Sequence, residues 1–550
     1  MTFYSGSEAV AYIGTEAFRR KWLALLDACP WGTACQHPDF VLPWYTLYQA
    51  DYVPVVVLQE EEDDTLVGLL TMAFFKNGKL LVGAGERQAE YQGWLAKQGD
   101  DTFIHDALCM MRKHYPGVDL SLRYLPAGIP LERILHHREY AKTCSVRRHA
   151  RPIMKVEEPA MSNQRRKKNN RQNFNRLSRM GDVQFTRITE HDRFIQLLDE
   201  IITQYDFRQE AMHAVTPFAG DPKKKPFYLE LHKRGLLHVS VLTVGGNLAA
   251  SHCGLLSQGR VLHLGISSFA PTLAVHSPGQ LLLAMLGVQL VQENVPVFDL
   301  TPGGDDYKTR FATDYDEVLE LMIYGSVDIR LKREAFMSAK KIAKEVLQKA
   351  GLSTTDARAA VTKMARLKEI GLRGWLESMR QKDTSPPRLY RHCAGLPPNR
   401  GRLTVSRNCL KDMFRFDSHG SRVTRWEFLN KAMSQMERSN HLYSFRKDEK
   451  LLLCCWAGAP STTPVQEVSE KEAGLGDDAI VLYDLYIHHA FKDAALVQRF
   501  IEQILHDLKG GQGKPDVYFH GSLNEELQTI LRQCGFVDDV ARAGLFAGPA

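Results

Sequence analysis

The 550-residue chain has no run of eighteen apolar residues, so nothing in it reads as a membrane-spanning helix. Its opening, "MTFYSGSEAVAYIGTEAFRRKW", lacks a basic segment followed by an apolar one and does not read as a secretory signal. The ten cysteines include no C-x-x-C pair, and only Cys454 and Cys455 are adjacent. That spacing argues against a zinc site or a disulfide framework, so the expectation is reduced thiols, a cytoplasmic location and no metal.

What is present fits a soluble multidomain protein. Hydrophobic residues make up 44% of the chain and charged residues 24%, an ordinary globular profile. The length suits about three or four domains. The net charge of +6 is unevenly spread. Residues 161–180 hold seven Arg or Lys and no acid, and residues 330–402 hold eighteen bases against six acids. The remainder is therefore acidic, and two basic connectors join acidic globular parts. Such charge usually makes a solvated helix face, and the sharper alternative is a tRNA or other anionic surface. Phe174 is the single aromatic in "RRKKNNRQNFNR", which gives little support to stacking along a nucleic-acid strand.

Residues 1–150 show a helical pattern (Phe18, Trp22, Leu25, Leu26) and the strand signals "VPVVVLQ" and "LVGLLTMAFF" around an acidic turn. An amphipathic helix, "DTFIHDALCMMRKHY", and the strand "VDLSLRYL" come next. Residues 151–329 repeat the order helix, hairpin, helix, strand, with turns at Gly245-Gly246 and Gln258-Gly259. Residues 330–402 read as a basic helical linker and 403–550 as a third α/β unit. The fold class expected is α/β (α+β), with mixed central sheets flanked by helices.

The chemistry concentrates in "HSPGQLLLAMLGVQLVQENVPVFDLTPGGDDYKTRFA", His276 to Ala312. Pro278 and Gly279 can open a helix whose free N–H groups suit an anion, which makes Ser277, Gly279 and Gln280 candidates for donor binding; the same turn can simply cap the helix. Asp299 closes a buried strand. Gly303 and Gly304 then allow close backbone approach, and Asp305, Asp306, Tyr307 and Lys308 lie on a loop at the strand's C-terminal end. Tyr307 can protonate a leaving thiolate and Lys308 can pair with a phosphate or carboxylate, with Asp306 beside them. Asp299, Gly304 and His276 are the expected substrate contacts. The competing reading is a tight turn, with Tyr307 packed against the lobe and Lys308 bridging to an aspartate.

The order "LLHVSVLTVGGNLAASHCGLL…HLGISSFAP…HSPGQLLL…VFDLTPGGDDYKTRFA", together with "FVLPWY" and "AEYQGWLA" upstream, resembles the CelD-like acetyltransferases of the GNAT superfamily, akin to the two-lobed FemAB transferases. The resemblance covers about residues 18–330. It implies two GNAT lobes and acyl transfer from acyl-CoA to an amine or hydroxyl of a sugar or envelope-polysaccharide precursor. The common GNAT signature Arg/Gln-x-x-Gly-x-Gly/Ala is absent, and "HSPGQL" stands in its place. Aminoacyl-tRNA is therefore the alternative donor, and a non-catalytic GNAT-fold binding protein the alternative class. The unit at 403–550 resembles a single GNAT domain in form. Its glycine-loop positions are Asp493, Ala495 and Val497, and Leu531 stands where a tyrosine acid often sits, so it reads as degenerate.

Overall fold

The computed structural model describes residues 1–349 except 101, scattered positions between 356 and 371, and residues 387–538 apart from 396–402, 419–420, 422, 464–474, 477 and 511–514. Part of the expected helical linker thus lies outside the described residues. The fold is α/β, with two mixed sheets flanked by helices. Backbone contacts divide the chain into two compact units. One comprises Met1–Ile201, Pro217–Ser268 and Pro278–Ala350; the other comprises Ile202–Thr216, Phe269–Ser277 and Gly351–Ala550.

The N-terminal unit is built on a 14-stranded sheet. Its strands are β1 (Thr2–Ser5), β2 (Tyr52–Glu60), β3 (Leu66–Phe75), β4 (Leu80–Gly83), β5 (Trp94–Ala96), β6 (Asp119–Leu125), β7 (Cys144–Lys155), β8 (Val183–Ile188), β9 (Leu237–Val244), β10 (Asn247–Ser257), β11 (Val261–His263), β12 (Ile266–Phe269), β13 (Val297–Asp299) and β14 (Asp314–Ile323). They run in the order β1-β2-β3-β4-β6-β14-β7-β13-β11-β10-β9-β8, with β5 on β3 and β12 on β10. The hairpin strands expected around the acidic turn are β2 and β3, paired from Tyr52↔Phe75 to Glu60↔Leu66.

β7 is a strand that the sequence pattern conceals, because bases rather than apolar residues occupy it. The partner strand explains it. Arg148, Arg151 and Lys155 of β7 pair with Glu317, Asp316 and Asp314 of β14. A basic strand thus lies against an acidic one, and opposite charges on neighbouring strands stabilise the register. β14, last in the N-terminal unit, also pairs β6 antiparallel, so it sews the two halves into one sheet. The boundary expected at residue 150 falls inside β7.

Four helices of this unit bear on its polar cluster and its opposite face: α1 (Ala160–Arg166), α2 (Lys168–Ser178), α3 (Pro278–Gln292) and α4 (Asp306–Phe311). The basic stretch forms two helices, because Lys167 takes an extended ψ of 141° between α1 and α2. α3 starts on Pro278, whose missing N–H costs nothing in a first turn. It buries residues nearly all round (Leu281, Leu282, Leu283, Leu286, Leu290), as a helix covered on two sides must. Toward the sheet it meets Met154, Leu262 and Phe298. Away from it, Gly287 lets Met161 of α1 come close: a Cβ there would lie 2.7 Å from the Met161 sulfur.

The C-terminal unit carries a seven-stranded sheet of β15 (Arg388–His392), β16 (Ser406–Arg407), β17 (His441–Lys447), β18 (Lys450–Gly458), β19 (Ile480–Ile487), β20 (Val517–Gly521) and β21 (Phe536–Asp538), in the order β16-β17-β18-β19-β20-β15-β21. β15 lies within the stretch 330–402: Leu389 and Tyr390 are buried, and the strand is held between β20 and β21. Three helices flank the sheet: α5 (Arg425–Glu437), α6 (Ala494–Lys509) and α7 (Glu525–Gln533). Among the described residues no helix is long and apolar enough to cross a membrane.

Candidate active site

Strand register assembles a polar cluster in the N-terminal unit. His263 pairs with Asp299, Asp299 with Ile153, and Arg151 with Asp316. Side chains alternate along a strand, so His263, Asp299, Arg151 and Asp316 share one face while Leu262, Phe298 and Met154 point to α3 on the other. Tyr91, from the loop before β5, completes the cluster.

Asp299 is wholly buried and accepts four hydrogen bonds. Its Oδ2 takes Tyr91 Oη at 2.6 Å, His263 Nδ1 at 3.1 Å and Arg151 Nη1 at 3.3 Å; its Oδ1 takes the Thr301 amide at 2.8 Å. Burial alone raises a carboxyl's pKa, but the bond from His263 and the charges of His263 and Arg151 prevail and hold Asp299 below the ordinary range. Arg151 also forks onto Asp316 and sits over the Tyr91 ring. His263 Nε2 lies 2.8 Å from Ser257 Oγ, which accepts the Ala34 amide at 2.7 Å. Ser257 Oγ thus links the Ala34 amide to Nε2, and His263 Nδ1 faces Asp299. The order Ser257–His263–Asp299 is a hydrogen-bonded line that holds the imidazole ring in place.

Glu90 stands at the rim, half-buried. Burial pushes its pKa up; Arg123, His263 and Lys308 oppose this and Asp299 adds to it. It is the carboxyl of the cluster that burial makes a better proton acceptor than an ordinary glutamate. Its motif, "AEYQGWLA", does not reveal that role. A glutamate next to a tyrosine carries no spacing signal, and only the fold brings it to β11 and β13.

The expected site residues do not all meet. Lys308 is buried and turns inward: its Nζ donates to Thr301 O at 3.1 Å and Pro302 O at 3.2 Å and lies 3.7 Å from Asp305 Oδ2. Burial lowers its pKa against the raising effect of Asp305, Glu90 and Asp299. Tyr307, its neighbour on α4, packs against the apolar core on the α3 side. Asp306 and Gly304 are exposed at the turn, and Gly279 and Gln280 lie in the first turn of α3. His276 and Ser277 group with the C-terminal unit, whereas Gly279 onward group with the N-terminal one. Asp299, Lys308 and Glu90 are thus brought together, and His276 and Ser277 are not part of that unit.

In the C-terminal unit Asp493 caps α6, its carboxylate accepting the Leu496 amide at 3.0 Å. Asn524 caps α7 in the same way, and Leu531 is buried in the core. Asp417, His488 and His489 lie close enough to hold a metal ion, with His488 Nε2 at 3.3 Å from Asp417 Oδ2.

No curated protein matches the chain. Among solved structures, FemX overlaps 57% of this chain and 98% of its own at 9% identity and a TM-score of 0.41. A tandem GNAT protein from the clavulanic acid biosynthesis pathway overlaps 59% of this chain and 99% of its own at 12% identity and 0.34. L-PGS from Bacillus licheniformis overlaps 56% and 92% at 13% identity and 0.35. The family match is local and falls on the second half of the 14-stranded sheet: residues 164–309, from α1 to α4, match the acetyltransferase (GNAT) domain family.

Proposed function

We propose that the N-terminal unit is an acyltransferase that moves an acyl group from acyl-CoA to an amine or hydroxyl acceptor, with Glu90 as general base. The observation that carries the proposal is a half-buried carboxylate of raised pKa, set against the buried Tyr91–Asp299–His263–Arg151 network within reach of a GNAT-type domain. Glu90 takes the acceptor's proton as its nitrogen or oxygen attacks the thioester carbonyl. The carbon–sulfur bond then breaks, and Glu90 returns the proton to the departing thiolate. Asp299 and His263 are positioning residues that hold the site's charge distribution, and Lys308 shapes the turn that closes it. The acceptor proposed is a sugar or cell-envelope polysaccharide precursor, as in the CelD-like enzymes.

The C-terminal unit is proposed to be a GNAT-like domain without donor binding, because the Asp493 carboxylate occupies the helix N-terminus where a phosphate would have to sit. The test is turnover of acetyl-CoA with a panel of amino sugars and sugar nucleotides, wild type against Glu90→Gln. Product formed by wild type and lost in the variant supports the reading. Turnover unchanged in Glu90→Gln places the base elsewhere, and transfer only from aminoacyl-tRNA replaces the donor.

A further inference from the structure

We infer that the helix Val327–Lys349 is a membrane-surface element: it lies in the interface of a bilayer rich in anionic phospholipid, with its apolar stripe toward the acyl chains and its bases toward the headgroups. The helix leaves the sheet directly after β14. Its first turns are tied down. Arg330 donates to Ala141 O at 3.2 Å and pairs with Glu334, and the Ser326 hydroxyl accepts the Ile329 amide at 3.3 Å. Beyond Glu334 every described side chain of the helix stands in solvent.

The pattern of those side chains makes their exposure informative. At 3.6 residues per turn, Leu331, Ala335, Ala339, Ile342 and Val346 fall on about a quarter of the circumference. Leu331 is 59%, Ile342 60% and Val346 59% exposed, and Phe336, at the edge of the stripe, is 67% exposed. A surface helix of a globular protein turns such a stripe onto its core, and an open apolar stripe marks an interaction face. Arg333, Lys340 and Lys341 fall on the opposite side, and over the whole helix seven bases stand against three acids.

An anionic bilayer answers both features at once, since its acyl region takes the stripe and its headgroups take the bases. A nucleic-acid strand would use the bases and leave three large aliphatic side chains in water, and one ring, Phe336, offers little stacking. A second copy of the helix would cover the stripe but set net positive charge against net positive charge. The helix is about 34 Å long at 1.5 Å per residue and is not apolar enough to cross a bilayer, which leaves the in-plane orientation. None of its residues belongs to the Asp299 cluster, so the inference stands apart from the acyl-transfer reading.

Co-sedimentation of the full chain with vesicles tests it, using equal parts phosphatidylglycerol and phosphatidylcholine against phosphatidylcholine alone. The mixed vesicles should bind the chain at least about tenfold more tightly, and added salt should weaken that binding. Leu331→Gln with Ile342→Gln and Val346→Gln keeps good helix formers and removes the stripe, and should weaken binding about tenfold or more. Arg333→Gln with Lys340→Gln and Lys341→Gln should weaken binding to the mixed vesicles about tenfold or more. All six positions are exposed, so both variants should melt as wild type does. Absence of binding to the mixed vesicles, equal binding to the two vesicle types, or unaltered binding in the apolar variant would overturn the inference. A lipid-free dimer in sedimentation velocity that the apolar variant disperses would overturn it in favour of a second copy. Binding of tRNA without binding of vesicles, lost only in the basic variant, would overturn it in favour of nucleic acid.

Discussion

Glu90 and Asp299 are both carboxylates of one cluster, and the fold shifts them in opposite directions. Glu90 is held above its ordinary pKa, so ionising it at neutral pH costs folding energy. The stability it allows is whole at low pH and is reduced as pH rises through the folded value. Glu90→Gln removes that cost, so the variant should melt at the same temperature as wild type or higher at pH 7, while turnover falls by about a hundredfold or more. Wild-type turnover should rise with pH through an apparent pKa above the ordinary carboxylate range, and the variant's should lose that limb. A variant that unfolds instead would make Glu90 a structural residue. Asp299 is held low, so its stabilisation is complete above the ordinary carboxyl pKa and is lost as pH falls through the folded one. Asp299→Asn leaves buried donors facing an amide and should cost about 3–5 kcal/mol in urea unfolding at pH 7. The gap should narrow as pH falls below the ordinary carboxyl pKa and close once pH passes the lower folded one, where the wild-type carboxyl also takes up its proton. Gly303 has φ +146°, and a Cβ there would lie 2.9 Å from Lys308 Nζ. Gly303→Ala should therefore destabilise the unit by about 1–3 kcal/mol.

Elements differ in how far their sequence announces them. β2 and β3 alternate or run apolar and are legible. β7 is not, because its bases are satisfied by acids more than 150 residues away on β14. α3 and β13 are legible from apolar content, whereas the break between α1 and α2 is not: no Gly or Pro marks Lys167, and packing of Met161 on α3 decides it. The candidate site divides the same way. Asp299 stands out at the end of a buried strand, yet Tyr91, Arg151, His263 and Ser257 join it only through pairing between distant strands. In the C-terminal unit, Asp493→Ala removes the α6 cap and should cost about 0.5–2 kcal/mol by denaturant unfolding. It should create no acyl-CoA binding, because Ala495 and Val497 still keep the backbone covered.

At the scale of the whole molecule, two sheets with separate cores make two cooperative units. Calorimetry should resolve two transitions, as domains with their own cores commonly unfold separately. Gly303→Ala should move one transition and Asp493→Ala the other. A single transition shifted by both variants would show the units to be one cooperative body. The α/β class, the hairpins and the framed helix-and-strand segment from His276 to Ala312 were determined by the sequence alone, because hydrophobic period and turn residues act over a few neighbours. Tertiary structure alone decided that β14 joins the two halves, that Lys308 turns into its own loop, and that Glu90 meets Asp299. Those outcomes depend on which distant strands pair and which helices touch, and charge and burial at such contacts exist only once the chain has closed on itself.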